Sequence, residues 1–297
     1  KEQIADPLGL TVEDAAAGVI ELLDLNLREY MRSTISAKGY NPTDFVCFSY
    51  GGAGPVHTYG YTEGLGFKDV VVPAWAAGFS AFGCACAEYE YRYDKSVDVG
   101  VGPNAADDVK ISACTTLTDA WAELAAKVIE EFVINGFKPE DVLLRPGYRM
   151  QFMGQLNDLE ISSPVTSAST LADWDKMVKA FNDTYARVYA SSASSPEMGF
   201  GVTGAIMRGS VISSKPELPE ESDAGPVPPK SAHVGTRPFY RHKKWWDAQI
   251  WSMEALKAGN RIVGPAIVES PATTFIVPFG FETYCDAHRL FHLKEIK

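Results

Sequence analysis

Long apolar runs are missing from this chain of 297 residues, and no stretch reaches the length a membrane-crossing helix needs. The opening residues do not read as a signal peptide either, so no membrane partner is expected. Cysteine is scarce and odd in number: Cys47, Cys84, Cys86, Cys114 and Cys285 sit mostly among apolar or small residues. That excludes a disulfide framework and suits reduced thiols in a cytoplasm. Cys84 and Cys86 are too close together for a structural zinc pair and no second pair exists, so both are expected to be buried packing residues, with no metal site. Basic residues are the minority, 27 against 38 acids, and the net charge of -11 argues against a nucleic-acid surface. There is no G-x-S-x-G, no H-E-x-x-H and no repeated C-x-x-C.

What is present centres on Phe45-Val46-Cys47-Phe48-Ser49-Tyr50-Gly51-Gly52-Ala53-Gly54-Pro55-Val56-His57. An apolar, β-favouring run ends in three glycines within four residues, followed by a proline suited to the first turn of a helix. Strand, tight turn and helix are expected. Glycines there let a backbone approach a ligand closely, with Gly51, Gly52, Ala53, Gly54 and Ser49 as candidate binding residues. A tight corner with no ligand fits the local pattern equally well. The G-x-G-x-x-G spacing fails, and no Gly-Lys-Ser/Thr follows. A nucleotide held here would therefore offer its nucleoside end to the turn. His57 can meet a phosphate or substrate, or simply bond a neighbouring backbone group.

The rest of the chain alternates between elements. Thr11-Val12-Glu13-Asp14 is a helix start, and Lys38-Gly39 a stop. From Asp94 the texture changes, and residues 94–213 are expected to form an α+β domain. Its helical stripes are Leu117, Trp121, Leu124, Val128 and Phe132, then Trp174, Met177, Phe181, Tyr185 and Val188. Residues 214–238, rich in Pro, Ser and Glu, read as a linker, and 239–297 as a small β-rich domain. His288 and His292 are expected to be ordinary surface residues there. Trp245, Trp246 and Trp251 among Arg241, Lys243 and Lys244 fit an interface or strand edge better than a ligand-stacking site.

Several segments together resemble the hydantoinase A family: Asp6-Pro7-Leu8-Gly9-Leu10-Thr11, Gly51-Gly52-Ala53-Gly54-Pro55-Val56-His57, Tyr148-Arg149-Met150-Gln151-Phe152-Met153-Gly154-Gln155 and Gly264-Pro265-Ala266-Ile267-Val268-Glu269 with Thr273-Thr274. The stretch from Pro73 to Ala87, followed by Tyr91-Arg92-Tyr93-Asp94, is most similar to the family's ATP-dependent ketone carboxylases of acetone and acetophenone type.

The resemblance implies an α/β plus α+β fold. Residues 1–93 would be a partial actin-like (ribonuclease H-like) ATPase subdomain carrying the adenosine-side turn. Family members are usually much longer, so the phosphate-gripping loops would lie elsewhere, and a start at Lys1 suits a fragment, a processed chain or a split subunit. The implied cofactor is ATP with Mg²⁺ or Mn²⁺, used to phosphorylate a ketone, its enol or bicarbonate. The implied partners are a chain with the phosphate-binding loops and a hydantoinase B-like subunit. Hydrolysis of hydantoin, oxoproline or lactam rings remains an alternative, as does a non-catalytic assembly subunit.

Overall fold

The computed structural model describes residues 1–296, which form two compact units. One joins residues 1–85 to the chain from 216 onward, and the other is the continuous segment 86–215.

The first unit opens with a short helix, α1 (Ala5–Leu8), and a long one, α2 (Val12–Ala37). Thr11 caps α2 by accepting from the Asp14 amide at 3.0 Å, and Glu13 and Asp14 stand where the helix dipole favours acids. The stop falls at Lys38 and Gly39, as the sequence leads one to expect. Strand β1 (Val46–Phe48) follows, then a 3-10 turn (Gly54–His57), helix α3 (Thr58–Thr62), strand β2 (Asp69–Pro73) and helix α4 (Phe79–Cys86). Helix α4 departs from expectation. None of its residues is buried: Cys84 is exposed and Cys86 half-buried. Its small residues read as close packing, yet its half-buried Phe79 meets the exposed Phe48 and Tyr50, and Phe82 meets the half-buried Trp75.

The second unit begins with β3 (Tyr89–Val101) and α5 (Asp107–Ile134). It continues through β4 (Leu143–Phe152), β5 (Leu159–Ser162), α6 (Leu171–Tyr189) and β6 (Phe200–Val211). The antiparallel sheet runs β3-β6-β4-β5. The predicted stripes of α5 and α6 form its core with Trp121, Leu124, Phe132, Met177 and Phe181, all buried, against Tyr148 and Phe152 of β4. Trp121 donates its indole N–H to the Gly147 carbonyl at 2.7 Å, so its polar atom is satisfied inside the core.

After residue 215 the chain returns to the first unit with β7 (His233–Arg241), β8 (Lys244–Ser252), β9 (Arg261–Val263), β10 (Ala266–Glu269), β11 (Thr274–Val277), β12 (Phe281–Cys285) and β13 (Leu290–Glu295). A five-stranded sheet has the order β1-β2-β13-β12-β9, with β1 and β2 parallel and β13 antiparallel to β2. A four-stranded sheet has the order β11-β10-β8-β7. The short C-terminal strands expected from the Gly and Pro spacing are present. They do not stand apart as their own domain, because β13 completes the sheet begun by β1 and β2. Nor is 214–238 a free linker. Backbone bonds from Glu221 to Ala287, Ala224 to Ala258 and Arg261 to Pro226, at 2.8–2.9 Å, pin it to this unit.

Candidate functional site

The glycine turn follows β1 at the edge of the five-stranded sheet. Ser49 closes the strand, its amide donating to the Val71 carbonyl at 2.8 Å. Its side chain points inward. Only 1% of Ser49 is exposed, and its hydroxyl lies 2.6 Å from Thr58 Oγ1 and accepts from the Tyr61 hydroxyl at 2.5 Å. Ser49 thus forms the floor of the turn rather than its open face. Burial pushes the Tyr61 phenol up, keeping it protonated as the donor.

Gly51 takes a φ of 90°, which side-chain-bearing residues rarely adopt, and its amide donates to the Ala76 carbonyl at 2.7 Å. Nothing lies within 4 Å of where a Cβ would stand on Gly51 or Gly54. Gly52 and Ala53 are exposed, and Gly51 and Gly54 half-buried. Among the described residues the amides of Gly52, Ala53 and Gly54 have no hydrogen-bond partner. Pro55 sits in the first positions of the 3-10 turn, as its missing N–H allows. The expected helix is short, a 3-10 turn running into five residues of α3.

His57 has a partner that sequence reading missed. Its Nδ1 lies 2.7 Å from Asp24 Oδ1 of α2, with 17% and 13% of the two side chains exposed. One turn along α2, Arg28 donates to the Gly60 carbonyl through Nε at 3.1 Å and Nη2 at 2.6 Å, and to Glu63 at 2.7 Å. Asp24 and Arg28 stand four residues apart on one helix face and together hold the segment after the turn. Gly60 is required there because a Cβ would overlap the Asp24 carboxylate. Burial alone would raise the Glu63 carboxyl, but bonds from Tyr59 and Arg28 outweigh it and leave Glu63 below the usual carboxylate range. Asp24 also lines a cavity of about 430 Å³, shared with Ile20, Val56, Tyr59, Arg241 and Trp245.

The Asp24–His57 pair is testable as a coupled unit. His57→Ala should leave a mostly buried carboxylate unpartnered and cost about 2 kcal/mol. Asp24→Ala should cost about as much, and the double variant clearly less than the sum of the two. Thermal denaturation of all three checks it, and strictly additive losses would show the two groups to be independent.

The other sequence candidates resolve differently. Arg241 lies over the Tyr59 ring of α3 at 4.5 Å and Lys244 over Trp246 of β8 at 4.4 Å, so these cations already have aromatic partners. His292 is not an ordinary surface residue. Only 14% of its side chain is exposed, with Nδ1 2.7 Å from Asp69 and Nε2 3.2 Å from Asp286. Its ring also stacks on Tyr284 at 4.5 Å. The antiparallel pairing of β13 with β2 brings Asp69 to His292, and its pairing with β12 sets Tyr284 opposite it. Burial would raise the Asp69 carboxyl, but bonds from Lys294 and His292 hold it below its ordinary value. Among the described residues no group of three or more His, Cys, Asp or Glu side chains is placed to hold a metal ion. No helix among them is long and apolar enough to cross a membrane.

Residues 2–93 match the hydantoinase/oxoprolinase family model, and residues 104–296 match the hydantoinase/oxoprolinase C-terminal domain model. The chain belongs to the hydantoinase/oxoprolinase family. Along 100% of its length this family member is 65% identical to the acetone carboxylase beta subunit of Xanthobacter autotrophicus, covering 41% of that protein. It is 31% identical to the acetophenone carboxylase gamma subunit of Aromatoleum aromaticum, again over 100% of the chain and 40% of the relative. A nucleotide-free acetone carboxylase structure, 65% identical, superposes with a TM-score of 0.72 over 99% of this chain and 42% of that one. The ATP-dependent caprolactamase of Pseudomonas jessenii shares the mixed α/β fold at a TM-score of 0.83 and 22% identity, over 99% of this chain and 41% of that one. The hydantoinase/oxoprolinase chain thus spans about two-fifths of the length of these relatives.

Proposed function

We propose that this chain is part of the nucleotide-binding subunit of an ATP-dependent ketone carboxylase, a ligase forming a carbon–carbon bond. The observation that carries this reading is the 65% identity to an acetone carboxylase subunit along the whole chain, against 27% to the caprolactamase alpha subunit. In this reading ATP, when bound, supplies the phosphoryl group that activates a ketone, its enol or bicarbonate. The segment carrying α2, the parallel pair β1 and β2 and the glycine turn would be a partial actin-like subdomain. Gly51, Gly52, Ala53 and Gly54 would form one wall of the nucleoside pocket, with Ser49 supporting them from below and His57, oriented by Asp24, at the pocket's end. The Cβ-free surface and unpartnered amides of the turn suit a nucleoside lying against backbone. A metal would be held by phosphate oxygens and by groups outside this chain. Its partners would be a chain with the phosphate loops and a hydantoinase B-like subunit. Five free cysteines are in keeping with a cytoplasmic setting.

Two experiments test the reading. The assembled enzyme should consume ATP with ketone plus bicarbonate, and cyclic amides should not replace them; turnover with a lactam alone would favour the hydrolase reading. Gly54→Val should weaken ATP binding about tenfold or more in calorimetry, with the melting temperature nearly unchanged. Gly54 suits this test better than Gly51, whose φ of 90° makes any side chain strain the turn itself. Unaltered affinity in Gly54→Val would remove the turn from the pocket.

A further inference from the structure

We infer that Thr273, far along the chain, is the positioning residue of the glycine turn and aims its amide donors at the nucleoside. The inference rests on the nucleotide reading above. Thr273 Oγ1 lies 3.1 Å from the Gly51 carbonyl oxygen and 3.1 Å from that of Gly52. A hydroxyl has one proton to give, and two acceptors at equal distance share it as a three-centre bond. Thr273 is only 5% exposed, so both carbonyls are held from the protein side.

Peptide geometry gives this contact a consequence. In a trans peptide the C=O and the following N–H point in opposite directions. With the Gly51 and Gly52 carbonyls drawn toward Thr273, the amides of Gly52 and Ala53 are turned away from it. Among the described residues those two amides have no partner. Two adjacent donors therefore face outward on a surface free of Cβ atoms at Gly51 and Gly54. Peptides flanked by glycine rotate easily, and without Thr273 little else holds these planes beyond the Gly51 amide bond to Ala76.

Thr273 is itself held in place. The Ser270 amide donates to the Thr273 carbonyl at 2.8 Å, and the Thr273 amide to Ser270 Oγ at 3.1 Å. This closed loop joins β10 to β11, and the Ala272 carbonyl oxygen comes within 3.7 Å of a Cβ position on Gly52. The C-terminal signature that ends in Thr273-Thr274 thus builds the underside of a turn found more than two hundred residues earlier.

The test compares Thr273→Val, which keeps the shape and loses the proton, with Thr273→Ser, which keeps the proton, in the assembled enzyme. Thr273→Ala serves as a second proton-free variant should the valine form not assemble. The proton-free variants should raise the Kd and KM for ATP about tenfold while kcat stays within about twofold, as for one lost hydrogen bond. Thr273→Ser should bind ATP like the parent. Hydrogen exchange read by mass spectrometry should quicken at the Gly52 and Ala53 amides in the proton-free variants without a matching fall in melting temperature. Parent-like ATP affinity and exchange in those variants, beside an impaired Gly54→Val, would overturn the role of Thr273 and leave the pocket standing. Parent-like affinity in Gly54→Val as well would overturn both.

Discussion

Expressed alone, this chain is expected neither to hydrolyse ATP nor to bind it tightly. The partners of the glycine turn are Thr273 and Ala76, and neither is a lysine or arginine. Backbone donors can seat a nucleoside, but the charge-assisted contacts that carry much of a nucleotide's affinity go to its phosphates. The same chain leaves a large apolar area uncovered. Of the 26 residues of α2 only Ala15 is buried, and Leu22, Leu23, Leu25 and Tyr30 are exposed. Helix α4 buries no residue at all. Such faces drive association, so the isolated chain should self-associate until the remaining parts of the complex are supplied. Assembly should restore both dispersity and ATP turnover. Light scattering followed by calorimetry on the monodisperse chain checks this, and micromolar ATP binding there would place a complete phosphate site within these residues.

Trp121→Ala should destabilise the second unit by about 4 kcal/mol, the largest stability loss we expect from one substitution. The indole is 2% exposed at the centre of the α5 stripe, and its removal leaves a cavity between α5 and β4. It also deprives the Gly147 carbonyl of its donor. Trp121→Phe should recover much of the packing and none of the hydrogen bond, so its loss should be clearly smaller. Calorimetry should show the transition of this unit falling by roughly 15 °C for the alanine variant. A shift of only a degree or two would mean that the core can close over the gap.

The α5 and α6 cores were readable because their apolar residues repeat at helical spacing and the buried face follows directly from that period. The bounds of α2 were readable for a local reason too, since Thr11 caps from three residues away and Gly39 stops the helix through its own φ. The turn at 51–54 showed itself through glycine and proline. What escaped were properties set across the chain. Asp24 meets His57 only because α2 packs on α3, and Thr273 meets Gly51 only because β11 returns beneath the turn. His292 looks like a strand residue among polar neighbours until β13 pairs with β2 and brings Asp69 beside it. Cys84 erred the other way: small residues suggest a tight interior, but Cys84 is exposed and no residue of α4 is fully buried.

The insertion of the second unit into the first orders events on the ribosome. Strand β3, at the start of 86–215, pairs along its length with β6 at the end, Tyr89 opposite Val211. Every strand of that sheet is therefore available as soon as β6 has emerged, and the inserted unit can fold while synthesis continues. The glycine turn has no such independence. It is translated before the inserted unit, yet β13 and Thr273, which complete its sheet and hold its carbonyls, are translated after it. Until they emerge the nascent β1–β2 segment is an unclosed edge, and the carbonyls of the turn lack the Thr273 donor. Chaperone contact should concentrate on that waiting segment.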